Sequence, residues 1–267
     1  MSFEHFKKEG ASIEKQSQEW SERIRHSFGH CFEVFKFENG DAIPAGGGSI
    51  FSNETDIKIA GDFESLKMFI DETHELAERY DLSKLRGWLD LVGTEIDEKL
   101  FARLLAFTEK LEVLCPENSK RLEMREELYK EKGEGIKLSD VFDKNVAACV
   151  EIAALAQVYL QQEGVCSSFF SGDVLWNEAG GEDLEFSDAH SFIVIRDSGR
   201  QYIYDPSNPT NTTAGKFPSI YTMGADFDKE MARGEKKFVT AQNILSKKEV
   251  FYGVNDFTNI IPERDIV

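Results

Sequence analysis

Apolar residues recur at helical spacing through the first half of the chain. Four segments show the three- and four-residue spacing that is typical of amphipathic helices, namely 11–28, 62–80, 85–92 and 94–114. Asp62 stands where an N-cap is expected for the second of them. Residues 118–132 are highly charged and predict an exposed helix, and the alternation at 31–37 predicts a strand.

The pattern changes after the segment 131–135, where the sequence EKGEG marks a hinge or boundary. Residues 141–162 are strongly apolar and predict one buried helix, while the remainder alternates short β-like runs with Gly, Asn, Asp and Pro turns. This order predicts an α+β fold with an antiparallel sheet. We expect a mainly helical region at 1–135 and a second unit, which carries the sheet, at 136–267.

The composition narrows the classes of function. The 267 residues are 41% hydrophobic, which is enough for a sizeable core. The net charge of −18 argues against binding to nucleic acid or to anionic membranes and favours a partner with a basic surface. The acidic residues are dense in the helical half and at 178–188. With no apolar run of about 20 residues and no secretory signal, we expect a cytoplasmic protein, or one exported into a host cell by a signal-less route.

Cysteine and glycine spacing argues against a metal or cofactor. The four cysteines are far apart and lack a CxxC pair, which disfavours a zinc site and a disulfide scaffold. His26, His30 and Cys31 have no nearby fourth ligand, so no metal site is predicted. The glycine run 46–48 lacks the Lys-Ser/Thr of a phosphate-binding loop and is interpreted as a turn. We expect no cofactor.

Three residues in the second half form a candidate catalytic group. Cys149 lies near the start of the predicted buried helix, His190 opens one strand, and Asp205 closes the next strand before a proline. A hairpin centred on residues 198–199 places His190 and Asp205 on one face as diagonal neighbours, roughly 7–8 Å apart at Cα. A shift of one residue would place the two side chains on opposite faces.

These residue types suit nucleophilic catalysis. A helix N-terminus and an imidazolium both favour the thiolate, which is the reactive form of cysteine. A carboxylate orients the imidazole, and backbone N–H groups at a helix start can form an oxyanion hole. Two of the three also have ordinary structural interpretations: Cys149 as a buried inert thiol and Asp205 as a turn residue. Asn145 either contributes to the oxyanion hole or caps a helix, and Trp176 either lines the substrate cleft or belongs to the core.

The segments GVCSSFFSGDV, AHSFIVI and YIYDPSNP, together with Cys149 on the preceding helix, resemble the transglutaminase-like branch of the papain-like cysteine enzymes. The spacings, 41 residues from Cys149 to His190 and 15 from His190 to Asp205, are similar to those of bacterial toxin and effector glutamine deamidases. Arylamine acetyltransferases share similar spacings. The resemblance covers about a quarter of the chain. It implies a papain-like catalytic core at 136–267, with 1–135 as a recognition or covering lobe.

The resulting hypothesis is a cysteine hydrolase that acts on a protein carboxamide or peptide bond through Cys149, His190 and Asp205. The resemblance favours glutamine deamidation first and proteolysis second. If an amine replaces water, the enzyme would be an acyltransferase. The expected partner is a protein substrate with a basic surface. The competing hypothesis is a non-catalytic, acidic binding or adaptor module with the same fold.

Overall fold

The computed structural model describes five stretches of the chain, namely 37–44, 58–177, 184–223, 231–233 and 236–254. Several features predicted from the sequence lie outside these residues: the helix at 11–28, the strand at 31–37 apart from Phe37, the group His26, His30 and Cys31, and the glycine run 46–48.

Helices dominate the described chain up to Gln162. They are α1 Lys67–Ala77, α2 Leu82–Val92, α3 Glu98–Leu114, α4 Arg121–Lys132, α5 Leu138–Asp143 and α6 Cys149–Gln162. Two 3-10 turns, Phe63–Leu66 and Gly133–Gly135, lie before α1 and after α4. Two short strands, β1 Ala42–Pro44 and β2 Lys58–Ala60, pair antiparallel with each other.

A carboxylate cap explains where α3 begins, whereas the second candidate cap, Asp62, has a different role. The Asp97 carboxylate accepts hydrogen bonds from the backbone N–H of Lys99 and Leu100 at 2.9 and 3.0 Å, so α3 begins at Glu98 rather than at 94. Asp62 makes no such cap. Its side chain instead accepts hydrogen bonds from the backbone N–H and the hydroxyl of Ser139 at 2.9 and 2.5 Å, which tie the start of this helical segment to α5.

Two helix predictions require correction. The helix predicted at 118–132 is not exposed all round, because α4 buries Arg125, Leu128 and Tyr129. The single helix predicted at 141–162 is divided into α5 and α6. In both cases the apolar pattern located the helical segment and the tertiary contacts changed its details.

Asn145 divides the predicted helix. This residue has a left-handed backbone, with φ 53°. The N–H of Asn145 donates to the Phe142 carbonyl and the N–H of Val146 donates to the Val141 carbonyl, both at 2.9 Å. These two bonds form a Schellman motif, which ends α5 and reverses the chain direction. The new helix then begins at Cys149, so the candidate nucleophile is the first residue of α6.

The second half is an antiparallel sheet that closes on itself. Its strands are β3 Ser167–Asn177, β4 Leu184–Asp197, β5 Arg200–Thr212, β6 Gly215–Met223, β7 Met231–Arg233, β8 Lys236–Asn243 and β9 Glu249–Val254. They pair in the order β6-β5-β4-β3-β9-β8-β7. The additional pairing of β6 with β8 closes six of these strands into a barrel. The α+β fold class is therefore confirmed, and its sheet is a closed antiparallel barrel.

Alternation along the strands separates two apolar cores. Phe192 and Ile203 point into the barrel with the cluster around Tyr252. Ile193 and Tyr204 point outward into the larger cluster, which is shared with α6 and the preceding helices. α6 thus lies against the outer surface of β3, β4 and β5. The division of the chain at residue 135 stays a prediction.

Within the part of the chain that is described, no helix is long and apolar enough to cross a membrane.

Candidate active site

Cys149 is placed at the N-terminus of a buried helix. It is the first residue of α6, and it is half-buried, whereas almost every following residue of α6 is buried. The first turn of a helix leaves backbone N–H groups without intrahelical partners and carries a partial positive charge. The thiol therefore lies where an anion is stabilised and where backbone donors are available.

His190 and Asp205 meet at the barrel. The ladder between β4 and β5 pairs Ile193 with Tyr204 and Asp197 with Arg200, which is the register that the hairpin prediction required. Ser198 and Gly199 form the turn, with φ of 48° and 81°. Two positive φ values in succession are the left-handed pair of a type I′ hairpin.

In this register His190 lies on the barrel-interior face of β4, the face of Phe192. Asp205 shares that face on β5. The Nε2 atom of His190 lies 2.7 Å from the Oδ2 atom of Asp205. The side chains are 7% and 0% exposed, so this pair is shielded from water.

Neighbouring donors saturate the Asp205 carboxylate. Its Oδ1 atom accepts hydrogen bonds from the backbone N–H and the hydroxyl of Ser207 at 3.2 and 2.9 Å. Its Oδ2 atom accepts from the Asn208 amide at 3.0 Å and from the Tyr252 hydroxyl of β9 at 3.3 Å, in addition to His190. Several donors to one carboxylate stabilise its ionised form.

The interaction between His190 and Asp205 outweighs the effect of burial on the charge of each residue. Burial alone lowers the pKa of a histidine, but the charge and the hydrogen bond of Asp205, with a smaller contribution from Cys149, raise the pKa of His190 to about 10. Burial likewise acts to raise the pKa of Asp205, but the positive charge and hydrogen bond of His190, with the donors of Asn208 and Ser207, lower it. At neutral pH the pair is therefore an imidazolium and a carboxylate.

The His190 imidazole interacts with Cys149 as well as with Asp205. Nε2 faces Asp205, and the Asn208 amide nitrogen is also 3.5 Å from it. Cys149 is near enough to this imidazole to contribute to the rise in its pKa. The imidazole thus stands between a thiol and a carboxylate, which is the arrangement that moves a proton to and from a nucleophile.

A buried ion pair lies beneath the start of α6. The Glu151 carboxylate accepts hydrogen bonds from Arg125 of α4, with Arg125 Nη2 2.5 Å from Glu151 Oε1 and Nη1 3.3 Å from Oε2. Oε2 also accepts from the backbone N–H of Ala148 at 2.8 Å. Arg125 Nη1 donates to the Val146 carbonyl at 2.9 Å. Both charged side chains are 0% exposed.

The Asn145 side chain is hydrogen-bonded to the segment between α3 and α4. Its amide donates to the Pro116 carbonyl at 3.0 Å, and its backbone carbonyl accepts from the Asn118 amide at 2.9 Å. Asn145 is the left-handed residue that follows the C-cap of α5, and its role in an oxyanion hole stays a prediction. The Trp176 backbone lies in β3, opposite Glu185 and Val250, and its side chain is outside the described part of the chain.

Sequence reasoning did not find Arg125, Glu151, Asn208 or Tyr252. Glu151 offered the clearest indication, because a single carboxylate in the apolar run AACVEIAALA needs a buried partner. Arg125 is one of many charged residues in α4, so the sequence does not distinguish it from its exposed neighbours. Tyr252 comes from a distant strand, so no local pattern places it beside Asp205.

Metal ligands are not assembled in the described residues, where no group of three or more His, Cys, Asp or Glu side chains is arranged to hold an ion.

Comparisons with known proteins add limited information. No protein-family model and no curated protein matches the chain. Among solved structures, it is similar to the arylamine N-acetyltransferase from Salmonella typhimurium, at 15% identity and a TM-score of 0.32 over 70% of this chain and 63% of that one. The arylamine N-acetyltransferase of M. smegmatis is 17% identical, with a TM-score of 0.31 over 68% of each chain.

The chain spans less than two thirds of the length of the Salmonella enzyme. TM-scores near 0.3 do not establish a shared fold, so the case for this site depends on the chain's own geometry.

Proposed function

We propose that the protein is a cysteine-nucleophile enzyme of the papain-like, transglutaminase-like kind, with Cys149, His190 and Asp205 as its catalytic residues. One observation carries the proposal: a thiol at the first residue of a buried helix shares an imidazole with a fully buried carboxylate. Such an arrangement is costly to build, because each buried charge needs its partners. A group of inert packing residues would not need it.

The proposed reaction begins with Cys149 as the thiolate, its proton held on the His190 imidazolium that Asp205 orients. The thiolate attacks a carboxamide carbon, and the resulting oxyanion accepts a hydrogen bond from the Cys149 backbone N–H at the start of α6. His190 then protonates the leaving ammonia, and a thioester remains. His190 next takes a proton from water, whose oxygen attacks the thioester and releases the carboxylic acid and the thiol.

Glutamine deamidation of a partner protein is the reaction we favour. The support is the spacing of the three residues, which is similar to that of bacterial effector deamidases, and the resemblance of their strands to the transglutaminase-like branch. Cleavage of a peptide bond uses the same first half-reaction with an amine as leaving group. Transfer of the acyl group to an amine is the outcome if an amine replaces water. We further propose that the substrate has a basic surface, and that the helical region 1–135 recognises or covers it.

A thiol probe tests the catalytic assignment. At pH 6, iodoacetamide should alkylate Cys149 at least ~10-fold faster than Cys115 or Cys166, since only Cys149 adjoins an imidazolium. His190→Ala should remove this preference, whereas His74→Ala, which changes a half-exposed histidine paired with Glu163, should preserve it. Peptide mass spectrometry reports the rate at each cysteine. Equal rates at all of them would contradict catalysis and favour the binding-module hypothesis.

The reaction type is read from the mass of the partner protein. Candidate proteins are incubated with the wild type and with Cys149→Ala. A gain of about one dalton at a glutamine, seen only with the wild type, is expected for deamidation. Fragments instead of the mass gain would identify a protease, and an adduct with an added amine would identify an acyltransferase. Either of these results would overturn the deamidase assignment while keeping Cys149 as the nucleophile.

A further inference from the structure

Arg125 contributes a guanidinium from outside the chain segment that carries the candidate catalytic residues. It projects from α4, is fully buried, and lies above the ring of Tyr129, whose centroid is 5.0 Å from its Cζ atom. Burying an arginine without a compensating anion is costly. Its anion, Glu151, comes from the first turn of α6, two residues after Cys149. The pair therefore joins the helical region to the helix that presents the thiol.

The contacts of the pair fix the backbone around Cys149. Arg125 holds the Val146 carbonyl, and Glu151 holds the N–H of Ala148. The segment 146–148, which leads from the Schellman motif into α6, is thus hydrogen-bonded to the pair on both of its flanks. A bidentate guanidinium limits rotation of its partner as well as its distance.

The pair also determines the charge that the thiol experiences. A buried carboxylate in the same helical turn as Cys149 opposes a second negative charge on the thiol. The guanidinium of Arg125 cancels that charge. Arg125 and Cys149 are electrostatically coupled, since a negative charge at Cys149 contributes to the raised pKa of Arg125. With Arg125 present, the local charge close to the sulfur is balanced.

We propose that Arg125 is a positioning residue for the nucleophile: through Glu151 and the Val146 carbonyl it holds the start of α6 and lets the thiol of Cys149 ionise beside a buried carboxylate. The inference rests on the proposed function, because it concerns the reactivity of Cys149. It goes further by assigning part of the active site to the helical region of the chain.

Two substitutions that change the local charge in opposite directions distinguish this role from simple structural support. Arg125→Met removes the cation and leaves the Glu151 carboxylate, so the pH midpoint of Cys149 alkylation should rise by about one unit and the rate at pH 6 should fall about 10-fold. Glu151→Gln keeps an acceptor for the Ala148 N–H and removes the anion, so its midpoint should fall. A residue that only supports the fold would move both midpoints in one direction or in neither.

The opposite end of the same helix supplies a matched control. Arg103 pairs with Glu163 at 2.9 Å just after the C-terminus of α6. The length of the helix places this pair about 20 Å from Cys149. Arg103→Met should leave the alkylation midpoint unchanged. If Arg125→Met does not fold, Glu151→Gln still tests the sign, and Arg125→Lys, which keeps the charge and loses the fork, should preserve the midpoint within about half a unit.

The possible failures are distinguishable. If the wild type shows no preferential alkylation of Cys149, the proposed function is wrong. If the wild type shows it, and Arg125→Met and Glu151→Gln share the wild-type midpoint or shift together, the catalytic assignment stands and the role of Arg125 is wrong.

Discussion

The charges of His190 and Asp205 in the candidate active site follow from a competition between burial and pairing. His190 is shielded from water and still protonated at neutral pH, because Asp205 supplies a buried counter-charge at 2.7 Å. Asp205 is ionised for the reciprocal reason and because Ser207, Asn208 and Tyr252 donate to it. In the proposed reaction, the imidazole therefore carries the proton that the leaving group needs.

This coupling predicts how stability depends on pH. The folded pKa of His190, about 10, is above its unfolded value near 6.5, so its stabilisation is complete below pH 6.5 and is lost as pH rises towards 10. Asp205 has a lowered pKa, so its contribution is lost only as pH falls below about 4. The free energy of unfolding should therefore fall between pH 6.5 and 10 by more in the wild type than in His190→Gln.

Urea unfolding at several pH values measures this difference. We expect the excess loss of stability in the wild type to be about 3–5 kcal/mol, which is the cost of breaking a buried ion pair. Groups that titrate in this range and lie far from His190 affect both proteins alike and cancel in the comparison. Parallel curves for the two proteins would show that His190 does not gain its charge on folding.

At the level of elements, the break between α5 and α6 is the decisive feature. A continuous helix through 141–162 would bury Cys149 in the middle of a helix, with its backbone N–H bonded to the preceding turn. The left-handed Asn145 ends α5 early and gives α6 its own N-terminus at Cys149. The break thus creates the helix end that the proposed reaction uses.

Substitution of Asn145 tests this account. Asn145→Gly keeps the left-handed backbone and loses the hydrogen bond to the Pro116 carbonyl, so it should cost about 1 kcal/mol of stability. Asn145→Ala loses the same bond and adds left-handed strain of about 1–2 kcal/mol. Thermal unfolding compares the variants. The rate of Cys149-dependent deamidation should change less than about 2-fold in Asn145→Gly; a ~100-fold loss of that rate with unchanged stability would return Asn145 to the oxyanion hole.

The features of these elements that could be predicted from the sequence are those set by local residue patterns. Periodicity located the helices and strands, and the His190–Asp205 hairpin was placed in the correct register because its turn is short and local. The break at Asn145 was missed, since an apolar run continues on both sides of it. The burial of Arg125 was missed because its partner is 26 residues away in the sequence.

At the scale of the whole molecule, the barrel closure was beyond sequence reasoning. The alternating strands predicted an antiparallel sheet, but the pairing of β6 with β8 depends on accumulated twist and on contacts between distant segments. The same holds for Tyr252, whose hydroxyl reaches Asp205 from 47 residues further along the chain. Only the assembled barrel brings the third strand of the site into place.

The net charge of −18 leads to a prediction at the same scale. If the substrate has a basic surface, long-range attraction accelerates the encounter and salt screens it. The rate of Cys149-dependent modification of a basic protein should fall about 10-fold or more between roughly 20 and 300 mM salt. Modification of a small uncharged glutamine peptide serves as the control and should be nearly unaffected. An equal salt response for both substrates would contradict charge-guided recognition.

Closure of the barrel also orders events during synthesis. A ribosome makes Cys149, His190 and Asp205 before it makes β8 and β9, so all three reactive groups exist while the barrel is still open. Until β9 arrives, Asp205 lacks the Tyr252 hydroxyl and its neighbours lack a wall against water. The nascent chain therefore exposes the His190–Asp205 pair to water until β9, the last of the described strands, supplies Tyr252.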